Sequence, residues 1–369
     1  MDDPHHDSAA SASGDATGRT AVVVYNPVKI DAQLLESMVR SAADAHQWGE
    51  VRFVETTEDD PGYGQAREAV EAGASMVVAC GGDGTVRSVA AGVRGSAAAL
   101  GIIPAGTGNL LVRNLKLPLD QPRAAEVVFG GQDDAMDICV AQVTRPDGST
   151  EEIDFVVMAG VGIDAQMILN TDDTLKKHIG FLAYGIAILK SLRGGNRIKI
   201  LHRMDQGREY RTSVHSVIVG NCGELMGNIA LLPDAKADDG LLDVVAMQPK
   251  GIFGWFQIFG RLLRQAAQKF AQKARKGRRP VTGTNQDLKS LQYVTGTSFE
   301  VTLSAPEDFE VDGDEAGRVT AFTVTVDHLG LKVRVDKPAP PEHPGEPRES
   351  ADLAPGYGVE HSDLDEPAE

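Results

Sequence analysis

The stretch ASMVVACGGDGTVRSVAAG, residues 74–92, decides the fold. Its first seven residues are an apolar run, interrupted only by Ser75, of the length of a buried strand. From Thr85 onward the chain reads as a helix, TVRSVAAGV. Between the two, Gly81, Gly82 and Gly84 surround a single carboxylate, Asp83. Glycine is costly to order, so a cluster of glycines implies that a ligand or another backbone comes close. A glycine turn from a strand into a helix N-terminus also points backbone amides outward, where the helix dipole favours an anion. Taken alone, the loop is equally a tight surface turn with an Asp cap.

The same alternation extends on both sides. TAVVVYN (20–26) reads as a buried strand that ends in a turn at Asn26-Pro27. DAQLLESMVRSAADA follows as a helix with Leu34, Leu35, Met38, Val39 and Ala42 on one face. VRFVETT is a second strand, GQAREAVEAG a helix closed by Gly73, and AALGIIPAG a fourth strand leading into GTGNLLVRNL. Strand–helix alternation gives a parallel sheet with helices on both faces, and ligands bind beyond the carboxyl ends of its strands. Asn26, Thr57, Gly81 to Thr85 and Gly106 to Asn109 all follow strand ends, so they gather at one edge.

From residue 133 the pattern changes. MDICVAQVT, IDFVVMAGVG, RIKILHRM, SVHSVIVGNCG, LLDVVAMQP, SFEVTLS and VTAFTVTVDHLGLKVRV are β-rich and joined by polar turns. They predict an antiparallel sandwich interrupted by helical stretches at 174–192 and 251–277. The expected organisation is an acidic tail (1–19), an α/β domain (20–132), a β-rich domain (133–336) and a second acidic tail (337–369). The tails are rich in Pro, Gly, Ser, Ala or Asp and read as disordered. They carry −3 and −7 of the total charge of −17, leaving −7 for the body.

This balance argues against a nucleic-acid partner. The acidic N-terminus lacks an apolar core and predicts no signal peptide. The most apolar run, IGFLAYGIAIL, is shorter than the roughly 20 residues that span a bilayer. Cys80, Cys139 and Cys222 stand singly in apolar surroundings and read as buried free thiols of a reducing compartment. The expected location is cytoplasmic, with peripheral membrane contact. That contact is expected through residues 251–279, part of a stretch (250–286) with nine basic side chains, no acid and interleaved aromatics. A core-packing helix with a solvated basic end fits the same pattern. A homodimer is compatible with the sequence.

The second glycine loop, PAGTGN (104–109), repeats the strand, small residues and helix of the first. Two such loops at one sheet edge suit a polyphosphate better than two unrelated turns. A carboxylate among them suits Mg²⁺ accompanying the phosphates. GGDGT is neither GxxxxGK[ST] nor GxGxxG.

GGDGT followed by PAGTGNLLVRNL resembles the lipid-kinase branch of the diacylglycerol kinase, sphingosine kinase and NAD kinase superfamily. VVVYNP, ETT, MDI, AGVGIDAQ, LLPDAKADDGLLDVV and FEVDGD fall in that family's order, so the resemblance covers residues 20–335. It implies the family's fold, an α/β domain followed by a β-sandwich, and ATP with Mg²⁺ as cofactors. It implies that Asn26, Thr57, Gly81, Gly82, Asp83, Gly84, Thr85, Gly106, Thr107, Gly108, Asn109 and Asp314 contact the nucleotide. Asp312 matches the general base that draws a proton from the lipid hydroxyl, with Asp83 in the metal and phosphate network. Asp137 matches an acid of the metal–water network, and Asp239 a ligand of a structural Mg²⁺ that also takes a nearby backbone carbonyl, here assigned to Leu241. Asp164 matches a position near the acceptor lipid.

Four positions depart from the family pattern. Val28-Lys29 stands where Ser-Gly is frequent, Leu110 where some members have Asp, and Asp314 where many have Glu. The implied activity is transfer of phosphate from ATP to diacylglycerol. A sphingoid base or another lipid is an alternative acceptor, and NAD a more remote one, since PAGTGN is the lipid-kinase form. A nucleotide-sensing or membrane-binding module with an inactive site is the non-enzymatic alternative. Asp239-Gly240 and Asp312-Gly313 are also ordinary turn dipeptides.

Overall fold

The computed structural model describes residues 18–162, 197–225, 229–249, 254, 258, 260 and 291–337. The first half alternates as the sequence predicts: β1 (Ala21–Tyr25), α1 (Ala32–Ala45), β2 (Val51–Glu55), α2 (Tyr63–Glu71), β3 (Met76–Gly81), α3 (Asp83–Val93), β4 (Ala99–Pro104), α4 (Leu110–Asn114) and α5 (Gln121–Gly130). The four strands are parallel in the order β4-β3-β1-β2. Side chains alternate across the sheet, so β1 sends Val22 and Val24 to one apolar core and Ala21, Val23 and Tyr25 to the other.

Local chemistry sets the helix limits. Asp31 caps α1 by accepting from Leu34 N at 2.9 Å, and Asp120 caps α5 by accepting from Arg123 N at 3.1 Å. The inward face of α1 is Leu35, Val39, Ala42 and Ala43; Leu34 is 62% exposed, one position outside the stripe expected for it. α5 lies in QPRAAEVVFG and carries Pro122 in its first turn, where proline has no amide hydrogen bond to lose. Arg334, buried, donates to the carbonyls of Val128, Phe129 and Gly131 and so satisfies the end of α5.

The second half is β5 (Gln132–Thr144), β6 (Thr150–Phe155), β7 (Met158–Val161), β8 (Ile198–Met204), β9 (Tyr210–Val214), β10 (Ser216–Gly220), β11 (Glu224–Leu225), β12 (Ile229–Ala230), β13 (Leu242–Met247), β14 (Leu291–Gly296), β15 (Ser298–Val311) and β16 (Asp314–Val335). Its pairings are antiparallel, running β14-β13-β10-β7-β15-β16, with β5-β6 branching from β16 and β8-β9 from β15. This is the expected β-sandwich following an α/β unit. Its core holds Phe155, Phe299, Phe309 and Phe322, the last two with ring centroids 5.1 Å apart. The long β16 joins the halves: it pairs with β5 along most of its length and meets β4 in parallel at Val333–Leu100.

Candidate active site

The two glycine loops meet backbone to backbone. A Cβ on Gly106 would lie 2.6 Å from the Cα of Gly82, and one on Gly108 would lie 2.5 Å from Asp83 Oδ2. Real Cβ atoms do not approach a backbone atom so closely, so Gly106 is required by the protein's own packing whatever ligand the loops hold, and a side chain at 108 would have to displace the Asp83 carboxylate. Gly82, not Asp83, is the N-cap of α3, and it brings no side-chain hydrogen bond. Asp83 sits one residue further on and reaches across to the second loop. Its Oδ2 accepts from Asn109 N at 2.9 Å and its Oδ1 from Leu110 N at 2.6 Å. Asn109, in the left-handed conformation at φ 48°, exchanges hydrogen bonds between its amide side chain and the backbone of Gly106. Arg113 donates to Gly108 O at 2.8 Å. Thr85 is buried under Gly81, and Thr107 is exposed at the loop's outer surface.

Asn26 and Thr57 complete the edge. Asn26 N donates to Cys80 O at 3.0 Å, beside the first glycine loop, and its Oδ1 accepts from Val28 N. Thr57 Oγ1 accepts from Asp60 N, which shapes the turn into α2. Lys29 is exposed.

The β-sandwich supplies the opposite wall through the two-residue turn between β15 and β16. Val311 pairs with Asp314, leaving Asp312 at φ 51° and Gly313 at φ 92°, as a primed hairpin turn requires. Asp312 is 2% exposed and its carboxylate accepts three backbone amides of the β6–β7 turn. Oδ2 takes Val156 N at 3.0 Å, while Oδ1 takes Val157 N at 2.8 Å and Met158 N at 3.0 Å. Burial raises its pKa, and the Arg87 guanidinium and those three amides oppose the rise. Asp314 is half exposed and lies over Gly84, whose Cβ would stand 2.9 Å from Asp314 Oδ2.

Arg87 ties the halves of the site together. From α3, four residues after Asp83, it donates to Val311 O at 2.6 Å and pairs with Asp314 at 3.1 Å. The sequence carried a signal for it, since i and i+4 share a helix face. The Asp83 pKa is pushed up to about 6, first by burial and further by Asp312 and Asp314, against the lowering by the Leu110 and Asn109 amides. Asp312 and Asp314 thus lie close enough to Asp83 for their charge to act on it, so the cleft between the glycine loops and the β15–β16 turn favours a cation.

Mg²⁺ fits such a cleft when phosphates and water provide most of its ligands, because it commonly takes only one or two carboxylates. Each Asp83 oxygen has an acceptor position beyond its amide. Among the described residues no group of three His, Cys, Asp or Glu side chains has the spacing of a complete metal site.

Asp137 lies elsewhere, at the foot of the loop bearing Asp239. Fully buried, it accepts from Gly240 N at 2.7 Å, Leu329 N at 2.7 Å and His328 Nδ1 at 2.8 Å. These bonds make it the staple of that loop, and nothing in the sequence around His328 announced the partnership. Asp239 Oδ1 accepts from Leu241 N, and Leu241 is exposed. Asp243 is raised to about 6 by burial and by the neighbouring Asp239 and Asp234, so this loop also favours a cation.

Asp164 and the 174–192 helix lie outside the described residues. So does most of 251–279, where Ile258 is buried with Ile218, Val245, Met247 and Leu291. The three cysteines are free and buried, and burial pushes the Cys80 thiol up to about 12.

Residues 20–141 match the family described as the diacylglycerol kinase catalytic domain, and residues 156–265 the YegS C-terminal NAD kinase beta sandwich-like domain. A Pseudomonas putida protein named "Probable lipid kinase YegS-like" is 30% identical over 245 residues, 64% of this chain and 77% of that protein. The chain belongs to the YegS-like lipid kinase family. A Cronobacter sakazakii member of the same name is 28% identical over 333 residues, covering 87% of this chain and 96% of that one. The chain matches about half, 51%, of the length of an uncharacterized Synechocystis protein that is 28% identical. A Bacillus anthracis diacylglycerol kinase crystal structure superposes with a TM-score of 0.63 at 18% identity, over 88% of this chain and 99% of that one. It shares the YegS-like architecture, an α/β domain followed by a β-sandwich.

Proposed function

We propose that the chain transfers the γ-phosphate of ATP to the hydroxyl of a diacylglycerol-type lipid, giving a phosphatidate. The observation that carries this reading is the convergence on one cleft of two interlocked glycine loops from one half and a buried Asp hairpin from the other, joined through Arg87.

The glycine loops offer backbone amides to the polyphosphate, and Asn26 and Thr57 border the same strand edge. Bound with ATP, Mg²⁺ would offset phosphate charge, and Asp83 and Asp314 are the side chains placed to hold it, directly or through water. Asp312 serves as the general base. Its three amide bonds hold the carboxylate and leave about one of its roughly four lone-pair positions for the acceptor hydroxyl. Burial makes it a better proton acceptor than an exposed aspartate, which suits base catalysis near neutral pH. Asp239, Asp243 and the Leu241 carbonyl form the site of a structural cation, with Asp137 bracing their loop. Catalysis is then mainly positioning and electrostatic stabilisation.

Contact with an anionic bilayer through residues 251–279 belongs to the same proposal and rests on their basic and aromatic pattern. Ile258 is buried, so part of that apolar pattern serves the core. Among the described residues no helix is long and apolar enough to cross a membrane.

The test is incubation of the full chain with γ-labelled ATP and Mg²⁺ in mixed micelles holding diacylglycerol, sphingosine or ceramide, with NAD in parallel. Label in phosphatidate is expected. Label in another acceptor replaces the substrate assignment, and no label in any acceptor refutes the enzymatic reading.

A further inference from the structure

A second charged feature lies on the outward face of β9, β8 and β15, away from the cleft. Register places Lys199 opposite Ser213, and Leu201 opposite both Arg211 and Thr302. Ser304 follows Thr302 on the same face of β15, and both are exposed while Val301 and Leu303 are buried. Together these six residues line an open trough of about 470 Å³. It presents two cations, three hydroxyls and one apolar side chain at its floor.

The charge pattern there is unusual for this protein, whose net charge is −17. In the next row along the sheet, Arg203 is neutralised by Glu300 at 2.6 Å. Lys199 and Arg211 have no ion-pair partner among the described residues, although both are exposed. As diagonal neighbours on adjacent strands their stems start about 7–8 Å apart, close enough for both heads to converge on one oxyanion. A guanidinium fork, an ammonium and hydroxyl donors are the groups that recognise phosphate.

We propose that this trough receives the phosphate of an anionic phospholipid headgroup at a bilayer surface. An open trough suits that source better than a soluble one. Each basic residue near an anionic surface strengthens binding by a factor of about five, which is negligible for a single solute but multiplies across a membrane-facing surface. The floor at Leu201 accepts the glycerol methylenes beside the phosphate. Ser304 precedes Asp312 by eight residues of β15, a path of about 26 Å, so the trough is separate from the phosphoryl-transfer cleft. The inference draws on the lipid-kinase reading only in expecting the protein to meet a bilayer.

The experiment measures sedimentation of the full chain with vesicles of phosphatidylcholine and of an equimolar phosphatidylcholine–phosphatidylglycerol mixture. Lys199→Gln/Arg211→Gln is compared with Arg40→Gln/Arg67→Gln, which removes the same charge from the exposed surfaces of α1 and α2. The trough variant should lose about 25-fold in affinity for the anionic vesicles, with the control changing by less than about threefold. Equal binding by the two variants, with unaltered melting curves, overturns the proposal. Calorimetry with glycerol 3-phosphate forms the second arm. Saturable binding of the soluble compound that the trough variant abolishes, without loss of vesicle affinity, overturns the headgroup assignment. Phosphoryl transfer in micelles free of anionic lipid is measured separately, and the trough variant should match wild type there. Absence of transfer in the wild type would sink the kinase reading and leave the vesicle result standing.

Discussion

Replacing Arg87 with alanine tests the cleft at the point where its two halves are joined. The guanidinium donates to Val311 O at 2.6 Å and lies 3.1 Å from Asp314, with the Arg87 side chain 20% exposed and that of Asp314 52% exposed. The ion pair is half in water and contributes about 0.5 kcal/mol. A hydrogen bond from a charged donor to a partly buried carbonyl contributes about 1.5–3 kcal/mol, so the tether as a whole is worth roughly 2–3 kcal/mol. If the tether serves to hold the Asp312 turn against α3, its loss should lower kcat/KM by about 30- to 150-fold. There is also a pH signature. Burial raises the Asp312 pKa and Arg87 opposes that rise, so Arg87→Ala leaves it higher still. A carboxyl group with a raised folded-state pKa weakens the fold as pH rises through that value, and as a base it works only above it. The acid limb of kcat/KM should therefore move to higher pH in Arg87→Ala and return toward wild type in Arg87→Lys, which keeps the charge. Lipid phosphorylation followed across pH for the three proteins decides the matter. An unmoved acid limb, with kcat/KM within about threefold of wild type, refutes the role assigned to Arg87.

Asp312→Asn should cut phosphoryl transfer by about 10²–10⁴-fold while calorimetry still detects ATP binding. Its Nδ2 would face an amide donor of the β6–β7 turn, so thermal unfolding should show a loss of about 1–3 kcal/mol as well. Gly106→Ala forces a Cβ to 2.6 Å from Gly82 Cα and should destabilise the protein by about 1–3 kcal/mol in chemical denaturation. Gly82→Ala meets only an ordinary 3.6 Å contact with Gly106, so its stability should hold, and any fall in ATP affinity measures the space the phosphates need. Asp243, raised to about 6 by burial and by Asp239 and Asp234, favours the fold below the unfolded value near pH 4 and weakens it as pH rises through about 6. Mg²⁺ should consequently raise the melting temperature more at about pH 8 than at about pH 5, and Asp243→Asn should remove most of that difference.

Much of the architecture was legible in the sequence because it rests on short-range rules. The apolar runs of β1, β3 and β4, the helical spacing of α1 and α3 and the glycine turns between them each follow from a few adjacent residues. Where those cues fail, the reading fails with them. Leu34 sits at the edge of its stripe and faces water. β14 shows no alternation, with Gln292 to Thr295 all exposed between buried ends, and its existence depends on pairing with β13. Asp312-Gly313 was equally a turn dipeptide and a catalytic motif, and the hairpin shows that it holds the turn conformation with its carboxylate buried.

By itself the sequence determined the strand–helix alternation of the first half, the α/β-then-β division and the loops that carry glycine and carboxylate. Those features are encoded in periodicity and turn chemistry over about ten residues at a time. Only the tertiary structure decided how the acids are used. Asp83 commits both oxygens to amides 26 and 27 residues away, Asp137 braces a loop about a hundred residues on, and Asp312 takes three amides more than 150 residues before it. Buried carboxylates must find donors somewhere, and which donors they find depends on how distant strands are brought together. The glycines of PAGTGN follow the same logic: Gly106 and Gly108 lie against Gly82 and Asp83 of the other loop.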